Sequence, residues 1–154
     1  MTAEGVRFPL AAAEIRQLRA LVEEFVGLLR QPAGAPARPP APSAYPDDPE
    51  ADAAFRSATE HDLRRLREQD AERVLADLAT AGGSVRTGPG RGARMLTVDP
   101  DGAASWMRTL TALRLALAAR IDGPDEPHPD DAPRLVYEWL GYRLDTLVRA
   151  VDGA

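Results

Sequence analysis

The chain has no cysteine, no lysine and no asparagine among its 154 residues. Without cysteine there can be no disulfide, no thiolate nucleophile, no zinc–thiolate site and no iron–sulfur cluster. Only His61 and His128 remain as imidazole ligands, so neither a metal nor a cofactor is expected. No apolar run approaches the roughly eighteen residues that a membrane helix needs. The opening MTAEGVRFPL lacks the basic region and long apolar core of a signal peptide. A cytoplasmic protein is the expectation. Catalytic residue sets are missing too, and the chain reads as non-enzymatic.

Ala, Arg, Pro and Gly make up nearly half of the residues. That bias, with arginine as the only long cation, follows the codon composition of a high-GC bacterial genome such as those of actinobacteria. Arginine richness is therefore weak evidence for phosphate recognition. The net charge of −5 argues further against a dedicated nucleic-acid binder, which carries a basic footprint.

The length suits one domain with a real core, spanning residues 1–154. A first helix is expected over about Ala11–Gln31, where Ile15, Leu18, Val22, Phe25 and Leu29 recur at three- and four-residue steps; Pro32 ends it. The stretch 32–49 is too rich in proline and too poor in large apolar residues to pack. It reads as a tether, with Pro36–Pro39 nominally fitting a PxxP docking peptide. A second helix starts near Asp48 or at Ser57, where Ser57 and Glu60 have capping-box spacing, and Gly82–Gly83 stop it. Ser84–Val98 has the pattern of two short strands about a Gly-Pro-Gly-rich turn, and Val6–Leu10 could add a third. A third helix runs from Pro100, capped by Asp99, to about Ile121. After the acidic loop Asp122–Pro133, a fourth covers Arg134–Val151. Trp106 and Trp139 lie on the apolar stripes of these two helices and read as core anchors. The expected fold is mainly α, with about four helices and a small β-hairpin.

The second helix carries the most unusual pattern. At 100° per residue, Leu63, Leu66, Val74 and Leu78 share about a third of its circumference, and Arg56, Glu60, Arg67 and Asp70 fall within the same arc. Arg64, Arg65, Glu68 and Glu72 lie outside it as solvated charges that can pair at i, i+4. Arg143 projects into the stripe of the fourth helix, and Arg114 lies at the edge of the third helix's stripe. Two readings follow. The arginines either snorkel or bridge helices as a structural polar network, or they line a groove for an acidic partner, an anion or a small ligand.

Arg86, Arg91 and Arg94 lie in an acid-free stretch and give the expected hairpin a positive face. The layout resembles the wing of a winged-helix DNA binder, although three charges supply only a weak, salt-sensitive contact. Phe55–Leu78 holds five Arg against six Asp and Glu, which suits a recognition helix poorly. GPGRG is no phosphate loop, because no GK[ST] follows it. His61 faces outward and has no second histidine at ligand spacing.

Three segments, AYPDDPEADAAFRSATEHDLRRLREQDAERVLADL (Ala44–Leu78), SWMRTLTALRLALAAR (Ser105–Arg120) and YEWLGYRLDTLV (Tyr137–Val148), together carry a resemblance. They are similar in order and spacing to an actinobacterial family long catalogued as of unknown function and named for an oxidative-stress transcriptional regulator (AosR-like). The resemblance implies a cytoplasmic helical regulator in stress-responsive transcription that works through a protein partner, a sigma factor or RNA polymerase component. Members of that family are linked to thiol redox sensing. A chain without cysteine cannot sense that way, so its input must differ or it acts as a constitutive adaptor.

Overall fold

A computed structural model of the chain describes residues 5–31, 44–83, 93–122 and 132–154. The elements in order are β1 (Val6–Leu10), α1 (Ala12–Arg30), α2 (Pro49–Gly83), β2 (Arg94–Val98), α3 (Pro100–Ile121) and α4 (Ala132–Asp152). Four helices and one small antiparallel sheet form a mainly α fold, as the periodicity implied.

The alternating side chains of VRFPL place Val6, Phe8 and Leu10 on one buried face, and RMLTV does the same with Leu96 and Val98. The strands pair antiparallel with Val6 opposite Val98 and Leu10 opposite Arg94. The partner of Arg94–Val98 is thus the N-terminal segment, nearly ninety residues away in sequence. A hairpin strand within Ser84–Gly92 lies outside the described residues, as do the PxxP stretch of the linker and most of the acidic loop. The apolar face of the sheet rests on α3, where the rings of Phe8 and Trp106 meet edge to face with centroids 5.0 Å apart.

The α1 and α3 boundaries follow the sequence reading to within one residue, and the Asp99 carboxylate accepts the Gly102 N–H at 2.6 Å as the α3 cap. Helix α2 takes the earlier of its two expected starts, near Asp48, and ends at Gly83 as expected. Ser57–Glu60 is not a capping box, because α2 begins eight residues earlier at Pro49 and both residues are exposed within it. Asp48 supplies the cap, with Oδ1 accepting the Ala51 N–H at 3.1 Å, and Pro49 takes the first helical position. Ahead of it, Asp52 accepts the N–H groups of Ala44 and Tyr45. Tyr45 also packs edge to face on Phe55 at 5.8 Å between centroids. The PDD turn is thereby folded back onto the first turns of α2.

One core unites these elements. Leu18 and Val22 of α1, Val74 and Leu78 of α2, Trp106 and Leu110 of α3, and Leu140 and Leu147 of α4 are all essentially inaccessible. Each such side chain contributes about 1.5–3 kcal/mol of burial.

Candidate functional site

Helix α2 is 35 residues long, about 52 Å at 1.5 Å per residue, whereas the 19-residue α1 spans only about 28 Å. The end of α1 is fixed on α2: Arg30 pairs with Glu68 and with Glu72 (2.8 Å), and Arg64 reaches the Gln31 carbonyl at 3.4 Å. Beyond that level α2 loses its α1 neighbour. No residue from Pro49 to Asp70 is buried; Ala71 is the first.

Leu63 and Leu66, expected on the inner stripe with Val74 and Leu78, are accordingly 39% and 57% exposed. They form one wall of a groove between α2 and α3. Met107 and Leu115 of α3 form the other, with Arg67 and Arg108 among the polar lining. The cavity holds about 670 Å³ and opens to solvent. Leu115, at 62% exposure, continues the apolar surface along α3. Contiguous exposed leucine on two neighbouring helices forms an apolar patch of the kind that marks interaction sites or ligand grooves in other proteins.

The floor of the groove rests on a seam of polar contacts between α2 and α3. Asp70 accepts from Ser105 Oγ at 2.9 Å and from Arg108 through two bonds of 2.8 Å. The Arg108 guanidinium, and then the Ser105 hydroxyl, hold the Asp70 carboxyl below its ordinary range, against the opposing effect of burial. One and two helical turns further along α2, Arg73 reaches Asp99 at 3.0 Å and Asp77 accepts the Trp106 indole N–H at 2.9 Å. The Gly102 N–H, followed by Arg73, likewise lowers the pKa of Asp99.

The six charged residues singled out on the helix stripes do not meet in one cluster. Arg56 pairs with Asp52, one turn before it, at 3.2 Å, and Glu60 is exposed. Arg67 lines the groove, while Asp70 turns to α3. Arg114 lies over the Tyr137 ring with its guanidinium carbon 4.3 Å from the centroid. Gly141 makes room for it, since a Cβ there would lie 3.0 Å from Arg114 Nη2. Arg143 donates to Glu14 and, at 3.2 Å, to the Pro9 carbonyl, tying α4 to the β1–α1 junction. A common Arg/Glu pocket for a small ligand is therefore not what these residues build.

Of the hairpin trio, Arg86 and Arg91 lie outside the described residues. Arg94 donates to the Ala81 carbonyl in the last turn of α2, where cations suit the helix dipole. His61 is exposed, as its projection implied. Among the described residues no group of three or more His, Asp and Glu could hold a metal ion, and no helix is long and apolar enough to cross a membrane.

Sequence reasoning missed the groove and the seam for one reason. Helical projection shows which residues share a face but not where a neighbouring helix stops. Arg108 and Ser105 lie within the quoted SWMRTLTALRLALAAR segment, but local spacing pairs Asp70 with Arg67 and Arg56 with Glu60, whereas the structure pairs Asp70 with Arg108 and Arg56 with Asp52.

No curated protein and no solved structure matches the chain. A family profile matches residues 1–151, nearly the whole sequence. The chain belongs to the family described as domain of unknown function (DUF2017).

Proposed function

We propose that this chain is a non-enzymatic regulator or adaptor that acts through protein–protein contact, with the α2–α3 groove as its contact surface. The observation that carries the reading is the exposed Leu63, Leu66 and Leu115 on two rigid helices, flanked by Arg67 and Arg108. Such a groove suits an amphipathic helix, whose leucines fill the cleft while acidic residues meet the arginines. It is open and largely apolar, and that surface supports recognition.

The AosR-like resemblance supports a role for this contact in stress-responsive transcription, with a sigma factor or an RNA polymerase component as the partner. The absence of cysteine rules out thiol sensing as the input. The test is binding of the purified full chain to reconstituted actinobacterial RNA polymerase, core and holoenzyme, by interferometry. Saturable binding that Leu66→Glu abolishes supports the reading. Binding that Leu66→Glu and Leu115→Glu leave unchanged removes the groove from it, and no binding to either form removes the transcription assignment.

A further inference from the structure

The outer half of α2 extends the groove into an arm. Phe55 is 49% exposed, in line with Leu63 at 39% and Leu66 at 57%. At 100° per residue these three and Thr59 fall in one stripe about 80° wide. The stripe runs from Phe55, half exposed beside Tyr45, into the groove beside Leu115. The stripe is the surface by which a partner would meet the arm.

Charge along the arm is sorted by position. Asp47–Asp62 carries six carboxylates against the single Arg56, and Leu63–Arg67 carries three arginines and no acid. The helix dipole favours acids only in the first turn. That covers Glu50 and Asp52 but not Glu60 or Asp62, two to three turns further on. With the acidic half before the basic one, two arms laid parallel would set like charge against like. Laid antiparallel, they set each acidic half against the other's arginines.

We propose that the occupant of the groove is a second copy of this chain, docked antiparallel about a two-fold axis near Thr59. Phe55 of each copy then enters the α2–α3 groove of the other, over Leu63 and Leu66. Arg67 comes within about one turn of Asp52 across the axis. The contact is isologous and closes on itself, so it gives a dimer and not a filament. This inference rests on the groove being a protein-contact surface and names its occupant.

Sedimentation velocity of the full chain over roughly 1–300 µM, a range that brackets micromolar affinity, tests it. The expected result is a concentration-dependent rise from the 16.6 kDa monomer to twice that mass, with Leu66→Glu at the monomer mass throughout and helical by circular dichroism. A charge-swapped pair keeps the test sharp if Leu66→Glu fails to fold. The variants Arg67→Glu and Asp52→Arg should each be monomeric alone and should form a one-to-one heterodimer when mixed. A wild-type monomer at 300 µM overturns the proposal, and so does a dimer that none of these variants weakens. A monomer that still binds polymerase in a Leu66-dependent way overturns the dimer alone and leaves the contact-surface reading standing.

Discussion

Glu14 holds Arg143 and Trp139 with the two oxygens of one carboxylate: Arg143 Nη2 donates to Oε1, and the Trp139 indole N–H donates to Oε2 at 3.2 Å. This contact joins the first turn of α1 to the middle of α4 across 129 residues of sequence. Both charged side chains are mostly sheltered, at 16% and 22% exposure. Removing one partner strands the other. Arg143→Met or Glu14→Gln should each lower unfolding stability by about 3 kcal/mol, the low end for a broken buried pair. The double variant should cost clearly less than the sum. Urea denaturation of the four proteins measures this, and strict additivity would show that the pair is not coupled.

Asp70 gives a pH signature. Its pKa is lowered in the folded chain, chiefly by Arg108, so the unfolded state binds the proton more readily. Its stabilising effect is fully present above the ordinary aspartate value of 3.8 and fades as pH falls through the lower folded value. Asp70→Asn should be less stable than wild type at pH 7, and the gap should narrow below about pH 4. Thermal melts from pH 7 to pH 2.5 check the sign, and a gap that widens on acidification would contradict it.

Gly141 lies inside α4, where alanine would favour the helix by about 1 kcal/mol. The Arg114 guanidinium occupies the space its Cβ would take. Gly141→Ala should therefore be near neutral in the wild-type background and stabilising by about 1 kcal/mol once Arg114→Ala has removed the obstruction. Equal effects in both backgrounds would show that Arg114 does not hold this position.

The two ends of α2 should respond oppositely to substitution. Leu78→Ala removes a fully buried side chain and should cost about 2–5 kcal/mol. Leu66→Ala, on the same helix but exposed, should stay within about 0.5 kcal/mol for the dilute protein. Chemical denaturation at low micromolar concentration makes the comparison free of self-association.

The same contrast marks what could be read from the sequence. Periodicity alone located α1, α3, α4 and their cores, because their apolar stripes all face neighbours along their length. It located α2 as well but not the exposure of its outer half, because Leu63 and Leu66 repeat in phase with Val74 and Leu78, yet α1 ends at Arg30 opposite Glu68 and Glu72. No local signal in α2 records where another helix terminates. Capping chemistry misled for a related reason: Ser57 and Glu60 have the right spacing, but Asp48 and Pro49 already start the helix. The charged residues were read correctly as unusual but grouped wrongly. Arg143 finds Glu14 and Asp70 finds Arg108, and these are tertiary pairings between segments far apart in sequence. The small sheet shows the same limit. Arg94–Val98 had the composition of a strand, and its partner was the N-terminal segment, which β-propensity could nominate but not pair.

In the proposed dimer α2 offers its outer half to a second copy in antiparallel register. The absence of native cysteine allows single spin labels to be placed cleanly. In an antiparallel pair the distance between equivalent sites grows by about 3 Å for each residue away from the two-fold axis. Pulsed electron resonance on Ser57→Cys and Ala79→Cys, both at exposed positions, reads this directly. The antiparallel dimer gives a short separation at position 57, about 20–30 Å with the label arms, and one beyond about 50 Å at position 79. Equal separations at the two sites, or no intermolecular distance at either, would contradict it.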